Sequence, residues 1–154
     1  EQGGGVVFDL VHEIDMALWL LGPLTVLGAV GGRFGPLEIR SDDVHVALLR
    51  GSNGAPVTVS LDYVSAQPVR RYVFVGAKGT LICDLISRQV VLEGSAGREV
   101  IAVAAEDFDV TATYGLQMSD WLRALDEPTH TLTSPLIEAF TTADLMLSMK
   151  EAAT

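Results

Sequence analysis

The sequence predicts an α+β fold, an open, mainly antiparallel β-sheet covered by helices on one face. Three observations carry that prediction. A helix-length amphipathic run opens the chain, short alternating segments bounded by turn residues fill its middle, and helical spacing returns towards the end. The links between the alternating segments are all short, which favours an antiparallel meander over crossover connections.

The opening run extends from Gly3-Gly4-Gly5 to Gly22-Pro23. Gly at a helix end supplies backbone freedom, and Pro just beyond cannot continue the helix. At about 100° per residue, Leu10, Ile14, Ala17, Leu18 and Leu21 share an apolar arc, with Asp9, His12 and Glu13 opposite. Residues 25–34 read as a strand in which Gly28, Gly31 and Gly32 mark bends or close backbone approaches. Residues 43–50 alternate, with Val44, Val46 and Leu48 on one side and His45, Ala47 and Leu49 on the other. Asn53-Gly54 accepts positive φ and predicts a turn into residues 57–63, the clearest strand of the chain. There Val57, Val59, Leu61 and Tyr63 alternate with Thr58, Ser60 and Asp62. Two hairpins follow, 71–75 with 80–84 about Gly76-Ala77-Lys78-Gly79, and 89–92 with 99–103 about Gly94-Ser95-Ala96-Gly97. A helix is then expected over 113–125, with Leu116, Trp121, Leu122 and Leu125 as its apolar positions, ending at Asp126-Glu127-Pro128. Ser134-Pro135 pairs an N-cap side chain with Pro at the first helical position. The last helix follows through Leu136, Phe140, Ala143 and Leu147 to about Ala152. Trp19 and Trp121 stand at helical spacing among aliphatics and read as core.

The 154 residues suffice for a single domain with a core, and 49% apolar with 19% charged residues is a globular composition. Ten Lys and Arg against twenty Asp and Glu give a formal charge of -10, a field that repels phosphate backbones and anionic lipid. Nucleic-acid and membrane partners are therefore not expected. Cys83 is the only cysteine, so an intrachain disulfide and a multi-thiolate metal site are excluded, in keeping with a reducing cytoplasm. No apolar run approaches the roughly 20 residues that span a bilayer, and no signal peptide is evident at the N-terminus. The sequence starts at Glu1 within a glycine-rich stretch, which suggests a piece of a longer protein.

A carboxylate beside an imidazole, at the mouth of a glycine-rich turn, can move protons. Asp9 and His12 stand at i, i+3, a spacing that a solvated helix face would also produce. Asp15 reads as a structural hydrogen-bond acceptor. A metal site built on Asp9, His12 and Asp15 is poorly supported, because Met16 stands where a second His would be needed. His45 and His130 gain no support as ligands from their spacing. Asp62-Tyr63 and Arg70-Arg71 make a second polar cluster, whose arginines can pair with the protein's own carboxylates or with an anionic ligand. No Gly-x-Gly-x-x-Gly fingerprint, phosphate loop or Gly-x-Ser-x-Gly elbow occurs in the sequence.

Taken in order, Gly3-Gly4-Gly5, Asp9, His12-Glu13-Ile14-Asp15, Trp19-Leu20 and Gly22 resemble the signature that opens the C-terminal half of Gfo/Idh/MocA oxidoreductases. The likeness continues through Ser60-Leu61-Asp62-Tyr63, Arg70-Arg71, Gly76-Ala77-Lys78-Gly79-Thr80-Leu81, Tyr114 and Thr133-Ser134-Pro135. The resemblance implies that residues 1–154 are a single C-terminal substrate-binding and oligomerisation domain. Its N-terminal Rossmann partner, which would bind NAD or NADP and carry a Glu-Lys-Pro lysine, is absent from this sequence. It further implies a sugar, cyclitol or related polyol as substrate, a homodimer or homotetramer, and His12 as acid/base assisted by Asp9. Tyr63 and Arg71 are candidate substrate contacts. The separation of three between Asp9 and His12 departs from the four common in the family and matches a His-Glu-Ile-Asp subgroup. By itself the chain is expected to bind no cofactor and to transfer no hydride. The alternative is a non-catalytic module that dimerises through its helix-free sheet face.

Overall fold

The computed structural model describes residues 4–154, so Gly3 of the expected glycine run lies outside the described residues. Two compact units emerge, one from described residues 4–64 together with Thr131–Thr154, the other Ser65–His130.

In the first unit the opening run is not one helix. It divides into α1 (Val6–Asp9) and α2 (Val11–Leu21) at Leu10, whose φ of -100° and ψ of 25° are not helical. The amide of Leu10 still bonds the carbonyl of Val6 at 3.0 Å, and that of Glu13 bonds the carbonyl of Leu10 at 2.9 Å. Neither Gly nor Pro marks the break, so hydrophobic spacing alone ran straight through it. Asp9 ends α1 while His12 sits in the first turn of α2, and the two are not neighbours on an unbroken helix.

Three antiparallel strands follow in the order β1 (Leu24–Gly32), β2 (Val44–Gly51) and β3 (Pro56–Asp62). Their register puts Gly31 opposite His45, Ala29 opposite Ala47 and Ala47 opposite Val59, so these residues share one sheet face. On that face His45, Ala47, Leu49, Val59 and Leu61 are buried, as the alternation of both segments anticipates. The pairing register of β1 shifts between Val26 and Gly28. The last helix, α4 (Leu136–Ala152), packs on β1 and on α2. Val6, Val7 and Ile14 from the opening helices, the strand residues above, and Leu145, Met146 and Met149 from α4 form the core. Thr142 on α4 donates to Asp15 Oδ1 at 2.7 Å, so Asp15 is the structural acceptor the sequence suggested.

One reading of α4 requires correction. Ser134 does not cap it; Pro135 occupies the N-cap and makes no side-chain cap bond. The buried side is Thr142, Leu145, Met146 and Met149, whereas Leu136, Phe140 and Leu147 are exposed. Apolar and polar residues are mixed all round this helix, so spacing cannot select the face that packs. Trp19 is likewise not core, being 74% exposed.

The second unit holds β4 (Arg71–Gly76), β5 (Gly79–Asp84), β6 (Gln89–Gly94) and β7 (Gly97–Val103), an antiparallel sheet in that order. Both expected hairpins are present. The strands thus form two antiparallel ladders, not a continuous one, with the Gln67-Pro68 segment between them. Val73, Ile82, Val91 and Val100 pair in a row across all four strands, and Val91 is buried. The helix α3 (Val110–Asp126) begins three residues before the expected 113, because the Asp109 carboxylate caps it by accepting the Thr111 amide at 2.8 Å. Accepting the Thr111 main-chain hydrogen bond holds the Asp109 carboxyl below its ordinary range. Leu116, Trp121, Leu122 and Leu125 are exposed on α3, contrary to the core role expected of Trp121.

Candidate functional site

The turn into α1 is held by the loop before β2. The Val6 amide donates to the main-chain carbonyl of Asp42 at 3.1 Å. Gly5 has a φ of 120°, and a Cβ there would lie 2.3 Å from Asp42 Oδ1. The glycine run therefore does admit a close approach at the helix N-terminus, and the visitor is the chain itself.

Asp9 leaves the end of α1 exposed, and its Oδ2 accepts a hydrogen bond from the Tyr63 hydroxyl. Tyr63 follows β3 directly, its amide bonded to the Asp43 carbonyl at 2.9 Å and its side chain packed against the core. Burial raises the Tyr63 pKa first, followed by the hydrogen bond to Asp9, the charge of Asp9 and the charge of Asp42. The phenol consequently stays protonated and acts as a donor. Tyr63 thus orients one oxygen of Asp9, and the other has no hydrogen-bond partner among the described residues.

His12 does not meet Asp9 in a hydrogen bond among the described residues. Its Nε2 lies 3.1 Å from Glu13 Oε1, and its side chain is 51% exposed. The structure therefore brings Asp9 to Tyr63 and His12 to Glu13. The first pairing spans 54 residues and no local spacing announces it. Arg71, in the second unit, donates from Nη2 to Asp84 Oδ2 at 2.7 Å and from Nε at 3.2 Å. The Ser87 amide, the Arg71 guanidinium and the Ile86 amide together hold the Asp84 carboxyl down to about 2. That is the self-pairing an arginine cluster on an acidic protein invites.

Sequence reasoning missed the roles of four residues beneath this region. Asp43 is fully buried and accepts the amides of Phe34 at 2.8 Å and Gly35 at 2.9 Å, closing the loop between β1 and β2. Asp42 and Lys150 form an ion pair, the Asp42 side chain being only 8% exposed. His45 is buried beside them, over Gly31, where a Cβ would stand 2.4 Å from its Nδ1. Burial is the main cause that lowers the His45 pKa; Asp42 opposes the shift and Lys150 adds to it. The only advance signal was the Asp42-Asp43 doublet before a strand, which has no periodicity to read. His130 bonds Asp120 at 2.7 Å, and no group of His, Cys, Asp and Glu suited to a metal occurs among the described residues.

A family profile described as the GFO/IDH/MocA C-terminal domain matches residues 1–82, more than half of the chain and the part that contains Asp9, His12, Tyr63 and Arg71. The chain belongs to the GFO/IDH/MocA C-terminal domain family. No curated protein sequence matches it significantly. Among solved structures, the apo form of a levoglucosan dehydrogenase is similar over 98% of this chain and 49% of that one, with a TM-score of 0.81 and 16% identity. An oxidoreductase from Agrobacterium radiobacter, in complex with NAD+, L-tartaric acid and magnesium, aligns with a TM-score of 0.76 at 20% identity, covering 96% of this chain and 46% of that one. The WlbA dehydrogenase from Bordetella pertussis, in complex with NADH and UDP-GlcNAcA, aligns at 0.75 and 18% identity over 99% and 46%. These likenesses establish the fold, and the GFO/IDH/MocA domain described here spans about half the length of each neighbour. No helix among the described residues is long and apolar enough to cross a membrane.

Proposed function

We propose that this GFO/IDH/MocA domain is the substrate-binding and oligomerisation half of an NAD(P)-dependent oxidoreductase acting on a sugar, cyclitol or related hydroxyl compound in the cytoplasm. The observation that carries the reading is the family match over residues 1–82, together with the exposed Asp9 carboxylate that Tyr63 orients at the glycine-rich turn. In this reading His12, half exposed beside Glu13, exchanges a proton with the substrate hydroxyl. Asp9 assists by accepting a hydrogen bond from the substrate or from His12⁺ through the oxygen that Tyr63 leaves open. Tyr63 and Arg71 are proposed substrate contacts, Tyr63 as an acceptor through its hydroxyl oxygen while its proton is held by Asp9, and Arg71 as a guanidinium steadied by Asp84.

The described strands pair only antiparallel and no dinucleotide fingerprint occurs in the sequence, which supports assigning NAD or NADP to another domain. The hydride carrier would be held by a Rossmann half outside this chain, and the domain alone is expected to be inactive. Reduction of a nicotinamide cofactor with a panel of polyols and sugars tests the proposal on a protein that joins this domain to such a half. Turnover that falls by about a hundredfold or more in His12→Ala is the expected result. Full activity in that variant would remove His12 as the acid/base.

A second reading, a homodimerisation module without catalysis, has its own support. Val30 and Val46 pair on the face of the first sheet opposite the core, with Leu48 two residues along, and they are 66%, 42% and 45% exposed. Dimerisation lost on Val46→Lys, in a protein with no turnover on any polyol, would favour that reading.

A further inference from the structure

The proposed site depends on where α1 presents Asp9; the helix is four residues long, buries Val6 and Val7 in the core, and has no side-chain cap at its N-terminus. That N-terminus is held from elsewhere. The Val6 amide bonds the Asp42 carbonyl, and Gly5 is pressed against the Asp42 side chain with no room for a Cβ. Asp42 in turn is held by Lys150, 108 residues away on α4. The Lys150 ammonium also stands 5.6 Å from the centre of the Phe8 ring, next to Asp9 in sequence.

We infer that Lys150 is a positioning residue for Asp9: its ammonium holds the nearly buried Asp42 carboxylate, and Asp42 with Phe8 holds α1. The inference rests on the proposed role of Asp9 for its catalytic meaning, although the latch itself is independent of that role. The physical case is that Asp42 is nearly inaccessible and its Oδ2 has no hydrogen-bond partner among the described residues. Removing Lys150 leaves a buried carboxylate without its counter-charge, a state that is relieved by moving the loop towards water or by taking up a proton. Either response disturbs the carbonyl on which Val6 hangs. Asp42 also acts on Tyr63 and His45 through its charge, so the latch is electrically connected to both sides of the site.

The test is made on this chain by NMR, with His45 as the charge reporter and the Val6 and Asp9 amides as position reporters. Lys150→Met should raise the His45 pKa, since a cation that lowers it is gone while Asp42 remains; Asp42→Asn should lower it. Lys150→Arg should keep it near the wild-type value. Amide exchange at Val6 and Asp9 should quicken at least about tenfold in Lys150→Met and recover in Lys150→Arg. A purely space-filling role for Lys150 cannot produce opposite His45 shifts in the two neutralising variants. Unmoved His45 titrations in the Met and Asn variants would overturn the ion pair, and unchanged exchange at Val6 and Asp9 would overturn the positioning. If Lys150→Met does not fold, the Asn and Arg variants decide between the same outcomes. None of these readouts needs turnover, so a confirmed latch in a protein without dehydrogenase activity would count against the proposed function alone.

Discussion

Tyr63 and Asp9 illustrate how much of the site hangs on single atoms. Asp9 raises the Tyr63 pKa through both a hydrogen bond and its charge, so Asp9→Asn should lower the phenol's ionisation back towards its ordinary value of 10.0. Ultraviolet titration in a Tyr72→Phe, Tyr114→Phe background reads Tyr63 alone, and an unchanged titration would contradict the bond. His45 gives a second prediction. Its folded pKa lies below the ordinary 6.5, so between the two values the unfolded chain binds more protons than the folded one. Stability is therefore intact above pH 6.5 and declines as the pH falls below it, until the folded-state pKa is passed. Denaturant midpoints measured across that window should drop in the wild type and flatten in His45→Gln. Asp84 behaves as an ordinary stabilised carboxylate: its contribution is complete above 3.8 and is lost as the pH falls through about 2. The Ser87 amide leads the causes, so Arg71→Ala should leave Asp84 still below its usual range by carbon NMR. The residues behind these predictions differ in how openly the sequence announced them. Asp9, His12, Tyr63 and Arg71 stand in recognisable motifs. Asp42, His45 and Lys150 gain their meaning only from partners far along the chain, which no local spacing encodes.

Among the elements, the strands were the most legible and α4 the least. Alternation in 43–50 and 57–63 reports a sheet with one buried face, and burial of Ala47, Leu49, Val59 and Leu61 bears it out. Each hairpin was legible because glycines bound its turn. The helix α4 mixes apolar and polar residues on every side, so its packing face is chosen by β1 and α2 and not by its own pattern. A paired substitution checks this. Met149→Ala, at a fully buried position, should cost about 2–5 kcal/mol, whereas Phe140→Ala, 58% exposed, should change the chemical-denaturation midpoint little. Equal losses at both positions would mean that the buried face has been misassigned. The break at Leu10 escaped notice for a related reason: helix punctuation is carried by Gly, Pro and cap residues, and none is present there.

For the molecule as a whole, the excess of acidic residues is the dominant long-range term. A formal charge of -10 on 154 residues repels itself, and salt at about 0.15 M cuts the range of that repulsion to about 8 Å. The thermal midpoint should therefore rise between low and moderate salt at neutral pH, and a midpoint that falls would point to ion pairs such as Lys150–Asp42 dominating instead. Class and family were legible at this scale because ordered motifs survive at low overall identity. The division into two ladders was not, since a Gln-Pro link looks the same whether the strands on either side pair or part. The core of the first unit has one more consequence, which concerns the order of synthesis. It joins Val6, Val7 and Ile14 to Leu145, Met146 and Met149, so the opening helices of this domain are completed only after the whole of Ser65–His130 has been made. While Ser65–His130 is being translated, β1, β2 and β3 have no helix α4 to cover their apolar side. A nascent chain stalled before residue 136 should therefore bind a chaperone more strongly than one extended through α4.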